Sequence, residues 1–545
     1  MSKNKLSRRT FLTASSMAAL AVALDWNKIE AHASRMGPKS EYPTVVIGAG
    51  LGGLCSAAYL AQQGIPVTVL EQQNRAGGYA TSFTRAQGKY KFEVSLQSAS
   101  IHNNNAARIL KNLNILQDIN LTPLPEFYQL KNPHIEDLSV PQKNPQEYIN
   151  RLVQLFPGDK EAIQNIVQEM IGIAVETEKL QRKKGKIVKF LFPFQYPKMW
   201  KIRNKNLAEF MEEYVTNSYL KDILASLWGY YGLPPSKLSA YYYASATGNY
   251  LKNGAYYIKP RSEALSQALA QSITRAGGRI YYNSQVTEIL VQDSAVKGVR
   301  TAQGKTFPAR GVVSNASAPN TLRTLLPPKS LTQEYLNKLE AYNPSLSTFI
   351  VWLGLNQDIA EEFTSCAIHV PSGEGVEQDY KYCLAGNIEK GPFSLTLYDK
   401  IFPGYSQPGT STLKLVFLTD FEPWRPFEQD YKNGIKKAYK EQKAKWTEVL
   451  IKRAEENIFP GLSAMIEVKD SATPLTNWRY TRNPQGAIYG YNQTLQNTFM
   501  NRLGNKTPIK GLFLASAWSE PGGGYSGVLR SGELCFEKLM HYWGA

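Results

Sequence analysis

Thr44 to Ile47 is a short apolar run without a polar break, the pattern of a strand covered on both faces. Leu54 to Gln63 then places its apolar residues at helical spacing. Pro66 to Leu70 is a second apolar run, ending in Glu71. Strand, helix and strand in this order predict a βαβ unit and a parallel sheet. Further along, residues 101–253 pattern mainly as helix. Residues 320–472 mix strands with a polar helix near Glu428 to Asn457, and Pro344 to Ile359 reads as a strand crossing an interior cavity. No internal repeat interrupts the chain.

The first residues follow a different rule. Arg8-Arg9 precede an apolar stretch, Phe11 to Leu24, too short for the roughly 18 residues a membrane span needs. With a small-residue site at Ala31-His32-Ala33, residues 1–33 read as a removable twin-arginine signal peptide. This predicts export to the periplasm of a protein that folds around its cofactor beforehand.

Composition is that of a globular protein, and 545 residues suffice for a large core. The net charge is +17. The leader holds five basic and two acidic residues, which leaves +14 on the mature chain. Such an excess suits nucleic acid or anionic lipid, and export favours the membrane surface over nucleic acid. Cys55, Cys366, Cys383 and Cys535 are too scattered for a disulfide scaffold, although spacing leaves open whether Cys366 and Cys383 pair. Cys55, on the buried side of the first helix, is expected to pack rather than react. The five histidines show no metal-ligand spacing, so no metal is expected.

Between the first strand and helix stand Gly48, Gly50 and Gly53, spaced G-x-G-x-x-G. The first glycine permits a tight turn, the second lets backbone approach a pyrophosphate, and the third lets helix and strand pack closely. Free N–H groups at the helix start then bind phosphate. Glu71 stands 18 residues beyond Gly53, where it can accept hydrogen bonds from a ribose. The loop alone does not separate NAD from FAD.

Arg75-Ala76-Gly77-Gly78 follows at once, and here the chain resembles the FAD-dependent phytoene desaturase, carotenoid isomerase and retinol saturase-like family of the flavin amine oxidase superfamily. The likeness continues in Lys259 to Ser317, where a helix leads to a strand and a small hairpin sheet. It resumes in the closing stretch GLFLASAWSEPGGGYSGVLRSGELCFEKLM. It implies an α/β fold with a discontinuous Rossmann-type FAD-binding domain (42–100, 254–319 and 473–545). An inserted mixed α+β substrate and membrane-docking domain (101–253 and 320–472) would complete it. By resemblance, Arg75, Gly77 and Gly78 approach the dinucleotide and Val286 offers backbone to adenine. Trp518, Gly523 and Gly524 deliver a helix N-terminus to the flavin ring, stabilising negative charge there. Glu520 would lie near the flavin as a candidate proton-transfer residue, against the plainer reading of a surface or salt-bridged glutamate. Arg479 and Arg482 either pair with it or bind near the cofactor. The chain departs from the family's pattern at Ser516-Ala517, which replaces Gly-Asp, and at Pro260-Arg261-Ser262-Glu263, which replaces P-x-G-G.

The implied substrate is a lipophilic polyene or isoprenoid, with desaturation or isomerisation ranked above saturation and quinone or oxygen as electron acceptor. A flavin amine oxidase and a non-catalytic lipid-binding flavoprotein are the alternatives. Residues 182–205 hold nine basic and no acidic residues interleaved with Phe190, Leu191, Phe192, Phe194, Tyr196, Met199 and Trp200. This predicts monotopic membrane docking, against a charged loop with a few core anchors. A tyrosine-rich run, Trp228 to Tyr257, either lines an elongated cavity or packs the core.

Overall fold

The computed structural model describes residues 43–182, 191–498 and 501–544. The leader and residues 183–190 of the basic segment lie outside the described residues. Five parallel strands form one sheet in the order Leu512–Leu514, Gly311–Ser314, Thr44–Ile47, Val67–Leu70 and Arg279–Tyr281. Its first strand is apolar throughout because both faces are covered. Val46 joins the core under the helices, whereas Val45 and Ile47 join the core beneath a three-stranded antiparallel sheet, Val286–Gln292, Ala295–Thr301 and Thr306–Pro308.

The first helix runs from Leu51 to Gln62, beginning three residues before the apolar pattern suggests. Gly52 and Gly53 are themselves its first turn. The helix is buried from Leu51 to Ala61, sandwiched between the sheet and the helices Glu263–Arg275 and Tyr525–Tyr542. Small residues make this possible: a Cβ on Gly53 would stand 2.3 Å from the Gly48 carbonyl oxygen, and one on Gly532 would stand 2.5 Å from that of Gly52.

A second sheet has seven strands, in the order Ile466–Ala472, Ser347–Leu355, Ser411–Thr419, Phe393–Leu397, Ala367–Val370, Tyr128–Leu130 and Leu138–Val140. Both long insertions therefore contribute to one sheet, the first supplying the last two strands at its edge. Ser347–Leu355 is the strand expected at Pro344 to Ile359, and its Trp352 pairs in register with Lys414. The helices Lys160–Arg182 and Ala240–Asn253 pack against each other beside this sheet.

The two halves are tied by a buried carboxylate. Glu93, ending the hairpin Ser82–Arg85/Tyr90–Glu93, accepts from Tyr257 Oη at 2.9 Å, Ser262 N at 2.9 Å and Ser262 Oγ at 2.6 Å. Its backbone oxygen accepts from Trp352 Nε1 at 2.8 Å. The departure at Pro260–Glu263 thus has a structural use. Arg261 donates to the Lys91 and Tyr405 carbonyls, and Glu263 meets Ser82 and Lys91.

All four cysteines are buried free thiols, so Cys366 and Cys383 do not pair. Cys55 packs with its Sγ against the Leu529 carbonyl at 3.2 Å, and burial pushes its thiol far up. Among the described residues, no helix is long and apolar enough to cross a membrane.

Candidate active site

The sheet's carboxyl ends open into one large cavity of about 1480 Å³. Gly48, with φ of +92°, turns the chain here. Gly50 then bridges to Gly77, whose N–H donates to the Ala49 carbonyl at 2.8 Å. The two glycine motifs are therefore halves of one backbone cradle. Side chains are excluded from it: a Cβ on Gly50 would meet Asn315 Oδ1 at 2.4 Å, and one on Gly52 would meet the Ala515 carbonyl at 2.3 Å.

Glu71 is 6% exposed at one end of this cradle. Its Oε2 accepts from Ala49 N at 2.7 Å and its Oε1 from Gln73 N at 2.8 Å. Burial raises its pKa and the backbone donors oppose that rise. A carboxylate offers about four acceptor positions, so free ones remain on both oxygens. Val286, Asn283 and Gln285 line the same end. Arg75 is exposed at the rim and donates to the Ser82 carbonyl at 3.0 Å.

Two helix starts face the cavity without a side-chain cap. One is Leu51–Gln62, with Gly50 as N-cap, and the other is Tyr525–Tyr542, with Gly524 as N-cap. Their first N–H groups have no partner within the helix and suit an anion or a developing negative charge. Gly523 lies against the Tyr489 backbone, and Trp518 sits edge-on to Tyr491 at 4.8 Å.

The sequence from Leu51 to Cys535 matches the profile of the flavin-containing amine oxidoreductases. The chain belongs to that family. Relatives include an all-trans-retinol 13,14-reductase of Danio rerio, 27% identical over 91% of this chain and 86% of its own. A prolycopene isomerase of an Oncidium hybrid cultivar is 24% identical over 93% and 85%. A neurosporene-forming phytoene desaturase of Rhodobacter capsulatus is 25% identical over 91% and 93%. Among solved structures, a Methanosarcina mazei oxidoreductase superposes with a TM-score of 0.60 at 17% identity, covering 92% of this chain and all of its own. A putrescine oxidase bound to putrescine gives 0.60 at 13%, with the same coverage.

This flavin-containing amine oxidoreductase is an FAD-dependent enzyme, and its residues fit that cofactor. The glycine cradle and the two uncapped helix starts supply backbone donors, and Glu71 supplies ribose acceptors. Tyr79, directly after Gly78, carries a buried hydroxyl without a hydrogen-bond partner on the cavity wall. No carboxylate stands at Ala517, whose carbonyl accepts from Arg502 Nη2 at 2.7 Å.

The cavity continues well beyond the cradle. At 1480 Å³ it exceeds the roughly 300–1,000 Å³ typical of a single-ligand pocket. Its far wall includes Trp228, Tyr230, Tyr231, Tyr241, Tyr242 and Tyr250 from the tyrosine-rich run. The same run also packs the core, since Tyr243 and Tyr257 are fully buried and bonded to Leu224 O and Glu93. Lys414, a residue outside every motif, is buried on this wall. Its Nζ donates to Ser95 O at 3.1 Å and Leu96 O at 3.4 Å, and burial pushes its pKa down to about 8. Ser95 Oγ in turn meets Tyr525 Oη at 3.2 Å, at the start of the closing helix.

Glu520 is a correction. It is not among the cavity's lining residues, and its half-exposed carboxylate pairs with Lys538 Nζ at 3.2 Å. Pairing of Arg479 or Arg482 with Glu520 is also absent. Both arginines line the cavity, with Arg479 against Tyr480 and Arg482 over Trp478 at 4.6 Å.

Two outcomes follow from this geometry. Glu71→Ala removes a charged acceptor worth roughly 1.5–3 kcal/mol per hydrogen bond, so FAD affinity should fall by about 10- to 100-fold. Fluorescence titration of the apoprotein with FAD measures it. Glu520→Gln breaks only an exposed pair, so stability should change by less than about 1 kcal/mol and turnover should not change. A loss of turnover with full FAD content would return Glu520 to the site.

Proposed function

We propose that this enzyme acts on C–C or C=C bonds of a lipophilic polyene or isoprenoid, as a desaturase or isomerase. The observation that carries this reading is the long aromatic arm of the cavity, continuous with the cofactor cradle and lined by Trp228, Tyr230, Tyr242, Ile350, Phe393 and Leu418. Such walls bind an extended apolar chain and exclude water around it. The names of the relatives, a retinol reductase, a prolycopene isomerase and a phytoene desaturase, support the same class.

Bound FAD supplies the hydride or electron transfer. The protein orients the chain along the tyrosines and holds a proton on Lys414 Nζ beside the closing helix start. An ammonium has three donors; two go to Ser95 O and Leu96 O, which leaves one for the cavity. Desaturation passes electrons on to quinone or oxygen, whereas isomerisation needs no net acceptor.

We also propose peripheral docking on a membrane. Leu191 and Phe194 are 40% and 76% exposed, beside Lys198, Lys201, Arg203 and Lys205. Phe192, Tyr196, Met199 and Ile202 anchor the segment in the core. Lys198 pairs with Glu169, and Lys201 and Lys205 pair with Glu213, so the apolar contact carries more of this reading than the charge. The preceding helix, Lys160–Arg182, places Ala174, Thr177, Glu178 and Gln181 on the cavity wall, which supports substrate entry from this side. Reading residues 1–33 as a twin-arginine leader, we further propose export of the FAD-loaded protein to the periplasmic face.

The substrate reading is tested by mixing the mature protein, without oxygen, with lipid extract from its own membranes. Bleaching of the flavin absorbance is the expected result for desaturation, and isomerised product without bleaching is that for isomerisation. The absence of both signals would overturn the polyene reading. Docking is tested by co-sedimentation with anionic vesicles. The pair Leu191→Glu and Phe194→Glu should abolish binding while FAD content stays full. Undiminished binding would place the membrane contact elsewhere.

A further inference from the structure

A cation is buried directly behind the closing motif. Arg502, 8% exposed, makes four hydrogen bonds, all to neutral acceptors. Its Nε donates to Ser519 O at 3.0 Å, Nη1 to Gln493 Oε1 at 2.6 Å and Asn497 O at 3.3 Å, and Nη2 to Ala517 O at 2.7 Å. The loop that carries it is stitched to the motif. The Leu503 carbonyl accepts from Glu520 N at 2.8 Å, and Asn505 Nδ2 donates to the carbonyls of Leu514 and Glu520, both at 3.0 Å. Burial pulls the guanidinium down to about 10, which leaves it charged near pH 7. Among the described residues no carboxylate pairs with it: Glu520 acts at longer range and is itself held by Lys538 at 3.2 Å. Ala517, standing where the family's pattern has aspartate, adds no negative charge.

The charge bears on the cavity through one peptide. The Ala517–Trp518 bond is trans, so its carbonyl and its N–H point in opposite directions. With the carbonyl on Arg502, the Trp518 N–H faces the other way, towards Ser516 Oγ at a long 3.3 Å. Ser516, Ala517 and Trp518 all line the cavity. Gly490 packs so closely here that a Cβ on it would stand 2.5 Å from the Ala517 oxygen. Gln493, which accepts from Nη1, also lines the cavity, beside Gly522 and Tyr242 Oη. A neutral amide could brace one or two of these carbonyls. A cation buried without a counterion carries a desolvation cost that only nearby negative charge offsets. In the family's pattern the closing motif meets the flavin ring, where negative charge develops on reduction.

We propose that Arg502 is a positioning residue that sets the flavin's reduction potential, its buried charge and the peptide it orients favouring the reduced over the oxidised cofactor. It adds a full charge to the partial charges of the helix start at Gly524. The assignment is independent of the substrate, because this potential belongs to enzyme and cofactor alone.

The test measures the midpoint potential of the FAD-loaded protein by anaerobic reduction with dithionite against a reference dye. In Arg502→Gln the preference for reduced flavin should fall tenfold or more, a downward shift of about 30 mV per factor of ten for a two-electron couple. Arg502→Lys keeps the charge and loses the planar fork, so its potential should stay close to that of the unaltered protein. Gln493→Glu sets a carboxylate on Nη1 with the arginine in place, and should lower the potential as Arg502→Gln does. If Arg502→Gln does not retain FAD, Gln493→Glu decides by the same criterion. An unchanged potential overturns the proposal, even where FAD affinity drops, since the charge would then serve the phosphates. A lysine variant that falls as far as the glutamine one overturns it too, because the fork and not the charge would be the cause.

Discussion

The structure depends on a close approach between two helices nearly a chain-length apart. Gly52, in the first helix, and Gly532, in the last, meet with no room for a side chain between them. Because these helices touch, their N-termini open into the same cavity and direct two sets of unpaired backbone donors at one ligand. The buried network beside the contact holds them in register: Glu533 accepts from Tyr59 at 2.9 Å and pairs with Arg108 and Arg530. Removing either arginine would leave the buried Glu533 carboxylate less well compensated.

A second tie fixes the substrate sheet to this frame. Glu93 receives donors from the segment around Tyr257 and Ser262, while its backbone receives Trp352 from the seven-stranded sheet. Trp352 is in register with Lys414. The position of the buried ammonium on the cavity wall is thus set by a strand pairing that is itself pinned to the cofactor hairpin. The active site is the seam between two sheets, and Glu93 holds the seam closed.

The parts legible in the sequence are those where one local segment carries a complete instruction. Gly48, Gly50, Gly53 and Glu71 lie within a single βαβ unit, so spacing alone places them around a dinucleotide. Asn315 and Lys414 could not be read this way. Each is an ordinary polar residue in its own stretch and acquires meaning only when strand register and tertiary packing bring the stretches together. Glu520 misleads for the converse reason. Its neighbours Trp518 and Gly523 reach the cavity, but the chain turns at Pro521 and Gly522, and the carboxylate faces Lys538 instead. The tyrosine-rich run divides for a similar reason: on the helix Ala240–Asn253, Tyr242 and Tyr243 point to opposite environments.

The distance along the chain between the two touching helices also sets an order of events in synthesis. Cys55 and the Leu529 carbonyl it packs against are 474 residues apart. The glycine turn therefore emerges from the ribosome long before the helix that completes the cradle. Until that helix arrives, the exposed apolar face of Leu51–Gln62 has no permanent cover, and closing so long a loop slows assembly. FAD that binds only the finished cradle favours the closed state by mass action. Docking of the closing helix and binding of the cofactor thus complete the same cradle, and by linkage each favours the other.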